Sequence, residues 1–387
     1  MDGVDLTALR AERLGRLQAA MRARDLDGCL FFHESNIRYA TGASAMPVWN
    51  MTSFVRCALV PVEGVPILFE HENSMHRSRL AATDVRPFHQ WEFYDDAGRR
   101  AMLWAGETVG AMRELGIDGR RLGLDRIGTP GWVALEAAGV RPVDSAAVTT
   151  AAREVKTPAE IEVMRLNGRI VVDMLSAFEA AIAPGVTERD LLAVNAATLI
   201  ARGGEHLSTN TVCSGPNTNP WRAEATDLAV RPGDLVFVDT DCVGVEGYFS
   251  CVSRTFPVGS EATPAQRRVY RDAFEWLTAM RALIRPGTRI GDLARQAPPM
   301  PDRYLQQRYE VIFHGIGLEE ESPSLGFPID EQSNADRVLE EGMTLVVELF
   351  AGEVGATDGV KLGDQVLVTA TGTEVLSPYP FSEALLA

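Results

Sequence analysis

Gly233-Asp234-Leu235-Val236-Phe237-Val238-Asp239 has a counterpart later in the chain, Gly342-Met343-Thr344-Leu345-Val346-Val347-Glu348. In each, a glycine suited to a tight turn precedes an apolar run of strand length, and the run ends on an acid. A second echo lies elsewhere in the same half, between Ala181-Ile182-Ala183-Pro184-Gly185-Val186-Thr187 and Leu283-Ile284-Arg285-Pro286-Gly287-Thr288. There the Pro-Gly pair ends one helix and the threonine is placed to cap the next. The pattern predicts two α-α-β halves related by a pseudo-two-fold axis, each delivering a carboxylate from a strand so that the acids face one another.

Upstream of the first half, Lys156-Thr157-Pro158-Ala159-Glu160 carries a Thr N-cap, a Pro for the first helical turn and a Glu to complete a capping box. A long helix is predicted to start there and to open a second domain, taken as 151–387. Before it, short apolar runs (Gly28 to Phe32, Val55 to Val60, Val65 to Phe69) alternate with helical periodicity (Asp5 to Arg24, Arg99 to Leu115), and Glu63-Gly64 reads as a hairpin turn. That mixture predicts an α/β N-terminal domain over 1–150. A length of 387 residues also exceeds what one core usually organises.

A formal charge of −16 argues against nucleic acid, whose phosphates need concentrated Lys and Arg, and points to small molecules, cationic ones included. Met1 to Leu17 is charged rather than apolar, and no stretch reaches the roughly 18 uninterrupted apolar residues of a membrane span. A cytoplasmic protein with no membrane contact is the expectation. Five cysteines with no CxxC pair read as reduced thiols that mostly pack as small apolar groups.

Chemistry concentrates in three segments. Val238-Asp239-Thr240-Asp241 runs on to Ser250-Cys251-Val252-Ser253-Arg254-Thr255; Phe313-His314-Gly315-Ile316-Gly317-Leu318 is followed by Glu319, Glu320 and Glu321; Val347-Glu348 is followed by Gly359-Val360-Lys361-Leu362-Gly363-Asp364. Acids at strand ends with a histidine on a glycine-flanked strand suit either a hard or borderline metal or acid/base work. His314 is the first candidate for general acid or base, because it alone among these groups titrates near neutrality. Asp239 and Glu348 would orient it or bind a cationic group. Cys251 is a poor nucleophile here, since acidic surroundings raise a thiol's pKa. Trp49, Trp91 and Trp221 are candidates for an aromatic box around a cation.

Together with Asn36-Ile37-Arg38-Tyr39-Ala40-Thr41, Ser214-Gly215-Pro216-Asn217-Thr218-Asn219-Pro220-Trp221, Glu353-Val354-Gly355 and Tyr379-Pro380-Phe381, these segments make nearly the whole chain resemble the creatinase/aminopeptidase P superfamily. Within it the chain is most similar to the dimethylsulfoniopropionate lyase branch. The resemblance implies a pita-bread fold, α+β with the internal repeat, for the second domain. It also implies a homodimer, in which the first domain commonly borders the neighbouring subunit's site.

Peptidases of that superfamily carry Asp-x-Gly where this chain has Asp239-Thr240-Asp241, and a second histidine after the His-Gly turn where this chain has glutamates, so dipeptide cleavage is not expected. Metal-dependent relatives bridge two ions with an Asp three residues before the Arg-Thr pair and a Glu two residues after the basic residue of the last motif. Those positions hold Cys251 and Gly363. Without bridging carboxylates nothing neutralises two cations within about 4 Å of each other, so no metal pair and no cofactor is expected. The alternative is a single Fe or Zn ion on the matched positions Asp239, Asp241, His314 and Glu348, with Cys251 as a further zinc ligand and Asp364 swinging into the gap at Gly363. The resemblance also places Glu320 where the lyase branch has its base. Creatinase, which the fold resembles, works without metal.

The function expected from these readings is metal-independent cleavage of a C–N or C–heteroatom bond of a small charged metabolite by acid/base catalysis. His314, Glu320, Asp239 and Glu348 would be catalytic, while Asp241, Trp221, Lys361 and Trp49 would bind substrate. Lys361 has a second possible role, neutralising one of the acids internally. Two alternatives remain at this point: a metal-dependent dimethylsulfoniopropionate-type lyase with a mononuclear site, and a non-catalytic binding protein on the same fold.

Overall fold

A computed structural model describes residues 4–46, 53–118, 121–222, 224–259, 261–330 and 334–387. The chain divides into two compact units, Met1–Arg153 and Glu154–Ala387. Among the described residues no helix is long and apolar enough to cross a membrane.

The first unit is built on a six-stranded sheet with the order β4-β3-β2-β1-β5-β6. Its strands are β1 Gly28–Phe31, β2 Cys57–Pro61, β3 Ile67–Glu70, β4 Asp84–Pro87, β5 Leu122–Leu124 and β6 Pro142–Asp144. β2 and β3 pair antiparallel across the predicted turn, where Gly64 takes φ 97°, a left-handed conformation that glycine adopts without steric cost. The helix Leu6–Arg22 starts where the Asp5 carboxylate accepts from Thr7 N at 2.9 Å and Ala8 N at 3.1 Å. Helix Ala97–Glu114 buries Trp104 against the sheet, and Trp91 and Trp104 meet at 4.9 Å between ring centroids. Trp91 is therefore core packing, 1% exposed, and not part of a cation box.

In the second unit the capping box closes as the sequence predicts. Thr157 N donates to Glu160 Oε2 at 2.7 Å, Glu160 N donates to Thr157 Oγ1 at 3.2 Å, and helix Pro158–Ala181 follows. A second helix, Glu188–Ala201, completes the first half; Pro264–Leu283 and Ile290–Gln296 repeat the arrangement in the second. Thr187 caps its helix with Asp190 as partner. Thr288 does not cap its own: the N-cap is Arg289, with no side-chain hydrogen bond. The first helical N–H groups there are taken by backbone carbonyls instead, Ile290 N by Arg337 O and Gly291 N by Ala335 O, both at 2.9 Å. Arg289 bridges Val338 as Thr187 bridges Ala229, so the repeat is shifted by one residue from the sequence echo.

The central sheet runs β14-β13-β15-β16-β12-β9-β8, with β17 added to β16. The ranges are β8 Val212–Ser214, β9 Leu235–Asp239, β12 Ser253–Pro257, β13 Val311–Ile316, β14 Glu320–Gly326, β15 Thr344–Gly352, β16 Gly359–Thr369 and β17 Gly372–Val375, while β7 His206–Leu207, β10 Cys242–Val243 and β11 Phe249–Ser250 form a small separate sheet in the order β11-β10-β7. One helix pair packs Val171, Leu175 and Phe178 on Val236 and Val238; the other packs Tyr270, Leu277 and Met280 on Leu345 and Val347.

β12 and β16 meet at a seam with one register pair, Ser253 opposite Gly363. The Arg-Thr pair fastens it. The Thr255 hydroxyl donates to Lys361 O at 2.8 Å and accepts from Lys361 N at 3.2 Å, standing in for a ladder rung. The Arg254 guanidinium donates to Gly363 O at 2.7 Å, Asp364 Oδ1 at 2.8 Å and Tyr379 O at 2.7 Å. Arg281 takes the other Asp364 oxygen, and Asp364 is 1% exposed. Because side chains alternate along a strand, Asp364 lies on the face opposite Gly363 and Lys361. It is fully engaged there, so it does not swing into the gap at Gly363.

Candidate active site

Strand register brings the chemistry together. Glu348 on β15 lies opposite Gly363 on β16 and Asp239 on β9 opposite Ser253 on β12, while His314 comes from β13, the next strand beyond β15. The carboxylates are almost wholly inside, Asp239 at 6% and Glu348 at 1% exposed.

Each acid has internal partners. Asp239 Oδ1 accepts from the Ser253 hydroxyl at 2.9 Å and from the Cys251 thiol at 3.5 Å, and Asp239 Oδ2 lies 3.5 Å from Lys361 Nζ. Glu348 Oε2 pairs with the same ammonium, while Glu348 Oε1 lies 3.4 Å from His314 Nε2. His314 Nδ1 is 2.9 Å from Gly315 O; a carbonyl only accepts, so Nδ1 carries a proton. Asp241 is half-buried and accepts from the Thr209 hydroxyl at 3.2 Å.

These contacts set the electrostatics. Burial alone would lower the His314 pKa, but the adjoining Glu348 carboxylate, with a smaller contribution from Glu320, raises it to about 9. Burial would push Glu348 up, and Lys361 and His314 outweigh it to hold the carboxyl down at about 2. Burial and the Asp239 charge push Asp241 up to about 7. Burial and the surrounding acids raise the Cys251 thiol well above its usual range, which keeps it from acting as a thiolate nucleophile.

Lys361 is completely buried. Its ammonium lies 3.6 Å from the Tyr309 ring centroid and 4.9 Å from that of Trp221, and Trp221 packs on Tyr309 at 5.0 Å and on Phe350 at 6.2 Å. The aromatic wall thus faces the chain's own cation. Tyr309 escaped sequence reasoning because an isolated tyrosine in a polar stretch carries no signal of its own. Trp49 lies outside the described residues.

The loop presenting Trp221 is shaped by Glu188. Its carboxylate accepts from Ser214 N at 2.6 Å, Ser214 Oγ at 2.9 Å, Asn217 Nδ2 at 3.0 Å, Thr226 N at 2.8 Å and Thr226 Oγ1 at 2.6 Å. Asn219 then donates to Glu353 O and Ala356 O, both at 2.8 Å, tying the Ser214 to Trp221 motif to the Glu353-Val354-Gly355 turn. At the other rim, Glu321 is buried against Lys156 at 2.7 Å and accepts from Leu318 N at 3.1 Å. Its neighbour Glu320 is exposed at the start of β14. Of the glutamate run, then, Glu321 is structural and Glu320 is accessible, with its charge bearing on His314.

Residues 13–165 match the Creatinase/Prolidase N-terminal domain and residues 162–370 match Metallopeptidase family M24. The chain is 34% identical to the dimethylsulfoniopropionate lyase DddP of Roseovarius nubinhibens, over 99% of this chain and 88% of that one. The chain belongs to the creatinase/aminopeptidase P superfamily, in its DddP-like branch. The DddP of Roseobacter denitrificans is 32% identical over 100% of this chain and 89% of its own. The superfamily fold is equally evident in an Xaa-Pro dipeptidase from Bacillus anthracis, which superposes with a TM-score of 0.78 at 22% identity, covering 96% of this chain and 99% of that one. As a member of this superfamily the protein is an enzyme, a lyase or a hydrolase. That sets aside the non-catalytic binder.

Proposed function

We propose that this enzyme cleaves a C–N or C–heteroatom bond of a small charged metabolite by acid/base catalysis, without a dinuclear metal centre. The observation that carries the reading is the Lys361 ammonium between Glu348 and Asp239, 3.5 Å from the latter. Of the oxygens that would face metal ions in metal-dependent relatives, both of Asp239 and Glu348 Oε2 are here met by Ser253, Cys251 and Lys361, while Glu348 Oε1, without a hydrogen bond of its own, lies 3.4 Å from His314 Nε2. With Cys251 and Gly363 in the bridging positions, the donor set does not fit a pair of divalent ions.

In this reading His314, protonated at neutral pH, is the general acid that delivers a proton to the leaving group, held in place by Glu348 and the Gly315 carbonyl. Glu320 is the base, drawing a proton from the substrate for elimination or from water for hydrolysis. Asp241, half-buried at the edge of the cluster, meets the substrate's cationic group. Lys361 and Trp221 serve the site by holding its charges rather than by touching substrate. Peptides are disfavoured, because no second histidine follows the His-Gly turn. The enzyme works as a cytoplasmic homodimer on a free metabolite.

A second reading has one observation behind it. Ligand atoms of Cys251, His314 and Glu348 all lie within 4.8 Å of one another, as do those of Asp239, Asp241 and Cys251. Both groups include Cys251, and between them they hold Asp239, Asp241, His314 and Glu348, on which one Fe or Zn ion would sit in a dimethylsulfoniopropionate-type lyase, with Cys251 as a further ligand. Metal analysis of protein purified without chelator, coupled to a turnover screen over betaines, sulfonium acids, guanidino acids and dipeptides, separates the two. Metal-free turnover is expected; stoichiometric iron or zinc that turnover requires would establish the second reading instead.

The charge argument has its own check. Cys251→Asp with Gly363→Glu completes the carboxylate set and is expected to give saturable Mn²⁺ binding in calorimetry where the parent gives none. Glu348 and Ser253 must both give way by a few tenths of an ångström for this, because a Cβ at 363 comes 3.0 Å from Glu348 Cβ and 3.1 Å from Ser253 Oγ. Unchanged heats from the folded double variant would mean that these two positions do not control metal binding.

A further inference from the structure

We propose that Trp221, Tyr309, Asp239 and Glu348 form an onium-binding cage whose resident ligand is the chain's own Lys361, a tethered ammonium standing where an exogenous cation would otherwise bind. The inference rests on the metal-free reading above and says what replaces the ion.

A lysine with no exposed surface is among the least common sights in a protein interior, because taking its ammonium out of water costs several kcal/mol unless partners repay it. Here the partners come from four separate places. β9 supplies Asp239 and β15 supplies Glu348, while the loop after β8 supplies the Trp221 face and the segment before β13 the Tyr309 face. Two carboxylates and two ring faces around one –NH₃⁺ are the elements by which proteins recognise small ammonium groups.

The cage is also built independently of its occupant. Ser253 and Cys251 hold Asp239, Glu188 shapes the loop that presents Trp221, and Glu348 is fixed in the middle of a nine-residue strand. Thr255 pins the Lys361 backbone on both its donor and its acceptor. Truncating the lysine side chain therefore empties the cage without dismantling it. The vacated space is that of three methylenes and the ammonium, lined by two carboxylates at its far end, so its preferred ligand is a compact primary alkylammonium no larger than propylammonium, methylammonium being the smallest. A divalent ion is a poorer occupant, because two sides of the cage are ring faces that lack lone pairs. In the resting enzyme a substrate cation finds the cage filled and is left to Asp241.

The test is Lys361→Ala, followed by calorimetry and thermal unfolding with methylammonium chloride and with sodium chloride as the ionic-strength control. The variant is expected to melt below the wild type, to bind methylammonium saturably in calorimetry, and to regain several degrees at concentrations about a hundredfold above the measured Kd. The wild type is expected not to respond. A folded Lys361→Ala chain that responds to methylammonium no more than the wild type overturns the cage. If the alanine variant is recovered only unfolded, Lys361→Met with Glu348→Gln removes the charge from both sides of the contact. That pair is expected to fold with a higher Tm than Lys361→Met alone, and a pair no more stable than the single variant overturns the proposal. Stoichiometric metal in the purified wild type would refute the metal-free reading of the reaction. Indifference of the alanine variant to methylammonium refutes the cage alone, leaving wild-type turnover as it was.

Discussion

His314→Gln is expected to lower kcat by about 10²–10⁴-fold while leaving the protein folded, because glutamine keeps a hydrogen-bonding side chain but cannot deliver a proton. The wild-type rate should also fall on the alkaline side as the imidazolium, with its pKa raised to about 9, loses its proton; the residual rate of the variant should lack that limb. A variant retaining both the rate and the alkaline limb would remove His314 from the chemistry. The same group acts on stability. Its folded-state pKa is raised from 6.5, so its contribution is complete below 6.5 and is lost as pH rises through about 9. Asp241, raised from 3.8 to about 7, favours the fold below 3.8 and ceases to do so as pH passes 7. Glu348 works in the opposite sense: lowered from 4.5 to about 2, it stabilises above 4.5 and fails as pH drops through about 2. Tm should therefore decline from the mildly acid range toward pH 9, and less steeply in the glutamine variant. A Tm that climbs over that interval would reverse the assigned shifts.

Arg254→Met is expected to cost about 3–5 kcal/mol, because it leaves the buried Asp364 carboxylate without the more deeply buried of its two cations. Arg281, whose side chain is 27% exposed, does not replace the five hydrogen bonds that the guanidinium makes to Ser253 O, Gly363 O, Asp364 Oδ1 and, twice, Tyr379 O. Denaturant unfolding of the isolated change, set against Arg254→Met with Asp364→Asn, gives the check. The second substitution should recover part of the loss by removing the stranded charge. A single variant within about 1 kcal/mol of the parent would contradict the seam's dependence on this side chain.

What the sequence revealed about this fold was local. The capping boxes at Thr157 and Thr187 use partners three residues away, and both form. Thr288 misled because the donors it was expected to satisfy are met by Ala335 and Arg337, whose proximity no local pattern encodes. The facing acids Asp239 and Glu348, and His314 beside them, followed from the internal echo and from residue chemistry. Partners brought in by register were hidden. Ser253 reaches Asp239 across a strand pair, Tyr309 reaches Lys361 from before another strand, and Glu188 holds a loop from the start of a helix. The two faces of β16 were predictable by alternation, yet which acid each side chain meets depends on Arg254 and Arg281, far away in sequence.

The seam between β12 and β16 has a mechanical consequence. Asp239 belongs to one half of the sheet, while Glu348, His314 and Lys361 belong to the other, and a single rung plus the Arg-Thr staple joins the halves. The separation of the two acids is therefore set at this join, by one rung, the Arg-Thr staple and the Lys361 contacts, rather than by a continuous ladder. Lys361 spans it like a rivet, so the length of one side chain sets the working gauge of the site.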